Sequence, residues 1–350
     1  MEARFRWRDS ARAGYHWSTM VAAARKQEVR VSEGNAIGRE FDAILAEACR
    51  WQESTSRERP TLLYHYTDSR GLLGMLETNT IRATEAGFLN DSAELDYVYT
   101  VVSTVAERQK KRLQTQAARK LAARLARARE GALPLMKSVY VACFSQERDL
   151  LSQWRAYAND GLGYAIGLDP ATQFQVGETR ARKSWNAPRL VRVTYDDAVP
   201  GSLVDGFVAA VLKLVDRVAS RSKRLEAFAA DRGESALVRG IGRLASAVKN
   251  PGFREENEWR LVFENHGPGG TFESLGFMPS RFGLTPYVSL RVTRRGRQKL
   301  PLLPIRELVL GPKLDSAQAE MAAHGLLREY QYGRGTAEPL PIAHSDVSYR

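Results

Sequence analysis

The sequence predicts an α+β fold, built on a mixed and largely antiparallel sheet with helical insertions. Short β-branched and aromatic runs recur at Val139–Ser145, Gly163–Leu168, Arg189–Tyr195, Glu258–Glu264, Pro286–Val292 and Glu307–Gly311. Long stretches with helical spacing interrupt them, at about 101–130 and 202–249. The composition, 350 residues with 43% hydrophobic and 26% charged, is that of a globular chain with a sizeable core.

Taken in order, residues 1–60 form a basic, mostly helical lead-in, with Phe41, Ile44, Leu45 and Cys49 at helical spacing before Pro60. Thr61–Thr67 is a compact strand. A short amphipathic helix follows, with Asp68 or Ser69 as its N-cap and an end near Asn79. Val101–Glu130 is rich in Ala, Leu, Arg and Lys and predicts one long helix. The block Ser202–Lys249 carries Val204, Phe207, Val208, Val211, Leu212, Val215 and Val218 on one face, and Gly233 and the Gly240–Gly242 pair are expected to break it. Asp315 or Ser316 caps a last helix to about Tyr330, and the tail to Arg350 reads as loop. The organisation is thus a lead-in over 1–60, a central unit over 61–312, and a C-terminal helix and tail over 313–350.

The formal net charge is +12 and the pI near 9.8. Such a field favours polyanionic partners, RNA or DNA, or a nucleotide substrate, and equally serves plain solubility. With 2 cysteines, Cys49 and Cys143, neither a disulfide framework nor a cysteine-based zinc site is available. None of the 5 histidines has zincin spacing. The start lacks a secretory core, and no run reaches the roughly 18–20 apolar residues of a membrane helix, so a soluble cytoplasmic protein without membrane contact is expected.

Four stretches carry chemistry-bearing residues. Tyr64-His65-Tyr66-Thr67 ends a strand where a helix begins, a place where polar groups line clefts. Asn90-Asp91-Ser92-Ala93-Glu94 has the spacing of a capping box. Beyond Ser145, Trp154 and Tyr157 share a helix face, either to sandwich a flat heterocycle or to pack the helix on the sheet. In the stretch Lys249–Val262, Glu256, Glu258 and Arg260 are expected on one face of a strand. Two carboxylates and a guanidinium there would hold a ribose diol and steady a neighbouring cation, or form a surface pair worth about 1 kcal/mol or less. Arg119, Lys120 and Arg124 lie on the basic helix, which is either a phosphate-tracking stripe or a solvated face.

The order H-Y-T, N-D-x-x-E, C-F-S, W-x-x-Y, K-x-P-G-F-x-E-E-x-E-W-R and L-G-P, from about Tyr64 to Pro312, resembles a bacterial family known as domain of unknown function 2971. That family in turn resembles, more remotely, ADP-ribosyltransferases, whose split antiparallel sheet clasps NAD. The resemblance implies an ADP-ribosyltransferase-like catalytic unit over 61–312 with NAD as substrate and no metal. It would be a toxin or phage-defence effector modifying a nucleic acid or protein. Glu258 would be the catalytic carboxylate, with Glu256 as the additional glutamate. His65, Tyr66, Thr67, Ser145, Trp154, Arg155, Tyr157 and Arg260 would hold NAD. Glu258 would stabilise the oxocarbenium-like cation that forms when the nicotinamide–ribose bond breaks. His65 and Glu258 are accordingly expected to face each other across one cleft. Two other readings compete. One is a metal-dependent phosphodiesterase using Asp91, Glu94, Glu256 and Glu258; the other is a non-catalytic nucleic-acid-binding module.

Overall fold

The computed structural model describes residues 33–50, 52, 55–89, 92–131, 133, 139–176, 187–196, 198–264, 275–280, 283–293, 301–332 and 339–349. Its strands are β1 (Leu63–Thr67), β2 (Ile81–Glu85), β3 (Val139–Ser145), β4 (Tyr164–Leu168), β5 (Phe174–Val176), β6 (Arg189–Arg192), β7 (Glu258–Glu264), β8 (Leu275–Ser280), β9 (Gly283–Val292), β10 (Ile305–Leu310) and β11 (Ile342–His344). They form one sheet in the order β11-β10-β4-β1-β3-β2-β9-β5, with β7 paired to β3 and β6, and β8 to β9. Only the β10–β11 pair is parallel among the described ladders. The expected mixed, largely antiparallel sheet is therefore present.

The sheet divides at β3. One edge of β3 is covered by β7 over its whole length, from Val139↔Glu264 to Ser145↔Glu258. The other edge is shared: β1 touches it at Tyr64↔Ser145, and β2 takes over at Val141 and Tyr140. Between them the Cys143 carbonyl accepts a hydrogen bond from the His65 ring (Nδ1 to O, 3.0 Å). A carbonyl can only accept, so Nδ1 carries the imidazole proton.

Helices flank both faces. On one face α1 (residues 33–50), α3 (Ser92–Lys110), α4 (Gln116–Ala126), α6 (Ala198–Arg221) and α7 (Glu226–Ala245) bury a single core with Val139, Val141, Val191 and Val262 of the sheet. The expected stripe Phe41, Leu45, Cys49 of α1 lies in that core. On the same face α5 (Leu151–Tyr157) covers β1 and β4 through Trp154. The opposite face packs α2 (Ser69–Thr78) and α8 (Ser316–Glu329) through Leu72, Met75, Leu76, Ala323 and Leu327. Asp68 caps α2, accepting from the Gly71 amide (2.7 Å), and Asn79 ends it in the left-handed conformation.

Several expectations are corrected. The long helix over 101–130 is two helices. The chain breaks after Lys110 because Leu113 turns into the core and Asp216 of α6 accepts from the Gln114 and Thr115 amides and the Thr115 hydroxyl. The 202–249 block divides at Ser222–Leu225, not at its glycines. Gly233 and Gly240 lie inside α7, where α6 approaches closely: a Cβ on Gly240 would meet the Phe207 ring at 2.1 Å, and one on Gly233 would meet Val215 at 2.4 Å. The glycines mark close helix contact instead of breaks. The tail is not all loop, because 342–344 adds β11. β2, β5 and β8 carry too few apolar residues in alternation to be legible alone.

The α6–α7 contact yields a stability test. Gly240→Ala forces Phe207 to move, and overpacking of this kind costs about 1–3 kcal/mol even though alanine is the better helix former. We expect a lower urea midpoint for Gly240→Ala and recovery in the Gly240→Ala/Phe207→Leu double variant. A midpoint at or above wild type in the single variant would show that the ring has room.

Candidate functional site

Pleating of β7 sends Glu258, Arg260, Val262 and Glu264 to one face and Trp259, Leu261 and Phe263 to the other. The first face holds a buried ion cluster. Glu258 and Arg260 are each 3% exposed, and the guanidinium grips the carboxylate with two bonds, Nε to Oε1 (2.8 Å) and Nη2 to Oε2 (3.0 Å). Lys249 Nζ reaches Glu258 Oε2 at 3.0 Å and Glu256 Oε2 at 2.8 Å. Lys249 arrives there because the segment after α7 pairs with the end of β6: Val248 bridges Thr194, and the Lys249 amide donates to the Thr194 carbonyl (3.0 Å).

Glu256 was expected on the strand. It instead closes a 3₁₀ turn over Pro251–Glu256, after which Asn257 adopts the left-handed conformation (φ 41°) and resets the pleat. Lys249, not strand periodicity, brings it beside Glu258.

Burial alone would push the Glu258 carboxyl up, but Arg260 and Lys249 more than offset this and bring it from 4.5 down to about 2. For Lys249, burial opposes and Glu258 with Glu256 prevails, so its ammonium is held above the ordinary lysine value. Burial pushes the Cys143 thiol well up, and the charge of Glu258 adds to this. Tyr195 is raised to about 12, chiefly by burial, and its hydroxyl oxygen accepts from the Glu258 amide (2.8 Å).

Two rings carry the cluster to solvent. Phe253, 41% exposed, lies with its ring centroid 5.0 Å from Lys249 Nζ. Tyr157, 37% exposed, sits within electrostatic range of Lys249, Glu256 and Glu258, and burial of its phenol raises its pKa.

The other sequence candidates separate into those the site includes and those it leaves out. His65 is not opposite Glu258. Tyr64, Ser145 and Glu258 align across β1, β3 and β7 on one face, so His65 falls on the other, its ring 5.6 Å from Phe144. The expected shared cleft between His65 and Glu258 is therefore not formed. Burial lowers the His65 pKa, so the ring is neutral at neutral pH. Tyr66 is buried edge-on to Trp154 at 4.8 Å, and its hydroxyl donates to the Glu147 carbonyl and accepts from the Leu150 amide. Trp154 is fully buried with its indole N–H on Asp149 (2.6 Å), so packing is its role. Ser145 is buried, donating to the Glu256 carbonyl (2.6 Å) and accepting from the Glu147 amide (2.9 Å), a tie that holds the turn to β3. Thr67 is half-buried at the start of α2, its hydroxyl beside Gly71. Arg155 is exposed on α5 near Asp160. Arg260 also donates to the Ser246 carbonyl (3.2 Å) and has no reach toward an external phosphate.

On the basic helix, Arg124 is paired with Glu234 and Arg119 donates to the Leu113 carbonyl (2.8 Å), while Lys120 is exposed. Arg108 and Arg127 are likewise paired, with Asp205 and Glu130. The solvated-face reading fits these arginines better than a free stripe. Asp91 lies outside the described residues, as does the side chain of Glu94. Between Glu256 and Glu258, the ammonium of Lys249 fills the position a divalent ion would need. Among the described residues no cluster of three or more His, Cys, Asp or Glu is placed to hold a metal. Lys249, Tyr195 and Phe253 had no role in the sequence reading, and the only signal for Lys249 was its place in the K-x-P-G-F motif.

A family described as "Protein of unknown function (DUF2971)" matches residues 153–261, which span α5 to β7 and contain Tyr157, Lys249, Glu256, Glu258 and Arg260. The resemblance to that family is shown over this stretch. No curated protein and no solved structure matches the chain.

The cluster sets a pH dependence. A carboxyl with a lowered native pKa stabilises the fold above its unfolded value, and that contribution is lost as pH falls through the native value. Removing one partner of a buried ion pair costs roughly 3–5 kcal/mol. We expect Glu258→Gln to lose stability of that order at neutral pH, with the gap from wild type narrowing between pH 4.5 and about 2. Urea midpoints of both proteins across this range measure it; a gap independent of pH would mean that the charge of Glu258 contributes nothing.

Proposed function

We propose that the Glu256–Glu258 cluster is the centre of a glycosyl-transfer site that cleaves the nicotinamide–ribose bond of NAD and passes ADP-ribose to a macromolecule. The observation that carries this reading is an ionised carboxylate beneath half-exposed aromatic rings, Tyr157 and Phe253. Oε2 of Glu258 already accepts from both Lys249 and Arg260, whereas Oε1 accepts from Arg260 Nε with the Cys143 thiol beside the carboxylate, so a ribose hydroxyl would be taken at Oε1. The donor set thus suits the ribose–nicotinamide end of the dinucleotide. His65 lies on the other face and Arg260 acts only through Glu258, so the NAD contacts first assigned to them are withdrawn.

The chemistry follows from the charges. Glu258 stays ionised through the neutral range and is no proton donor; its work is electrostatic, opposing positive charge at the anomeric carbon as the leaving nicotinamide departs. Lys249 and Arg260 hold it in one orientation, so no reorganisation is needed as charge develops. Glu256 lies 2.8 Å from Lys249, and in this reading it would orient the acceptor. Tyr157 or Phe253 would stack on the flat ring that leaves.

A second reading has support in the 3% exposure of Glu258: the cluster is a structural tie, and the protein a binding module. Nicotinamide release separates the two. We expect Glu258→Gln to lose on the order of 10²–10³ in rate with little change in NAD affinity. Tyr157→Ala, at a position 37% exposed, should raise KM about tenfold, in line with the loss of a stacking ring. The measurement is labelled nicotinamide release with cell extract as acceptor source. No release by wild-type protein under any acceptor would leave the structural reading.

A further inference from the structure

Beside the ion cluster lies a cavity of about 460 Å³, lined by two arginines from different elements. Arg192 ends β6, its backbone amide fixed by the Ser56 hydroxyl (3.0 Å) and its side chain exposed. Arg254 comes from the 3₁₀ turn before β7, and its guanidinium donates to the Tyr195 carbonyl (3.3 Å), which lays it along the cavity wall. Asp196 also lines the cavity, so the two guanidiniums outnumber the carboxylate. Thr194, also on the cavity wall, accepts from the Asp196 amide (3.4 Å).

The cavity and the cluster share walls. Tyr195 lines the cavity while its hydroxyl binds the Glu258 amide. Asn257 lines it too, and stands in the chain between Glu256 and Glu258. The volume falls within the range of small-molecule sites, and a simple inorganic anion would leave most of it unfilled. Planar guanidinium forks match phosphate oxygens, and an aromatic wall suits a base.

We propose that this cavity binds a nucleoside phosphate, with the phosphate held by Arg192 and Arg254 and the base against Tyr195. The inference goes beyond the NAD reading and holds whether or not NAD is the donor. The ligand is a free nucleotide or one unit of a single strand, and the two are distinguished by the probe.

Calorimetric titration of the full chain with AMP, and separately with a short single-stranded RNA, tests it. Arg192→Gln, Arg254→Gln and the double variant are compared with Arg328→Gln on the exposed side of α8 as control. We expect each cavity variant to weaken binding about tenfold and to lower the salt slope by about one unit, with the control unchanged. Loss seen with AMP assigns a free nucleotide; loss seen with RNA alone assigns a strand. Thermal melts of the variants verify folding, and Arg254→Lys, which keeps the charge, should recover part of the affinity. Wild-type affinity in the double variant for both probes, or no binding of either probe at millimolar concentration, overturns the proposal. The wild-type protein separates the two ideas: nucleotide binding that depends on Arg192 and Arg254, found together with no nicotinamide release under any acceptor, leaves the cavity standing and removes the glycosidic reading.

Discussion

An ammonium inside a protein must be matched by carboxylates, and here one lysine imposes that condition on three segments at once. Lys249 follows the helical insertion, Glu256 closes a turn, and Glu258 opens the central strand, and all three meet within hydrogen-bonding distance in a buried volume. Leaving any of them unpaired would strand a charge away from water, so the path of the chain between residues 245 and 258 has little freedom. The Thr194–Val248 bridge, the left-handed Asn257 and the Ser145 hydroxyl on the Glu256 carbonyl all serve this one meeting. The insertion is thereby coupled to the sheet by charge as well as by apolar packing. Glu264, at the far end of the same strand, repeats the device with Arg243 of α7 and Arg189 of β6.

The helical insertions, far apart in sequence, are one layer in space. α3 and α4 come from the first, α6 and α7 from the second, and α1 from the lead-in, yet they share a single core over the sheet. Their lead-in and insertion boundaries are features of the chain, not of the packing. Two of the arginines that gave the first insertion its cationic look are paired with carboxylates of the second, Arg108 with Asp205 and Arg124 with Glu234. Part of the basic stripe therefore faces carboxylates of neighbouring helices.

What could be read from residues alone follows a physical rule. Strands with dense β-branched and aromatic content, such as Val139–Ser145 and Glu258–Glu264, were legible to the residue, because burial on both faces leaves an apolar run. Short edge strands such as Phe174–Val176 and Ile342–His344 were not, since their pairing depends on a distant partner. Glycines in α7 looked like breaks because a sequence shows missing side chains but not the ring that fills their place. In the site, the neighbourhood of Glu256, Glu258 and Arg260 was visible from spacing, although for Glu256 the reason was wrong. Lys249 and Tyr195 were hidden, because loops and strand ends bring them in without any periodic signal. The face of His65 was likewise a matter of register, which only the Tyr64↔Ser145 pairing decides.

The division of the sheet at β3 has a mechanical side. Where two strands part, the opening has to be held at some width, and here the spacer is an imidazole: it spans from the backbone of β1 to the Cys143 carbonyl that the ladder has released. Main-chain pairing fixes the strands on either side, but a side chain sets the gauge of the gap. A ring of the same size without a nitrogen proton would fill the space and still leave that carbonyl without a donor. The gap would then have to admit water or close until β1 recovered its ladder. Polarity at a single ring atom thus supplies the donor that the ladder does not provide at this opening.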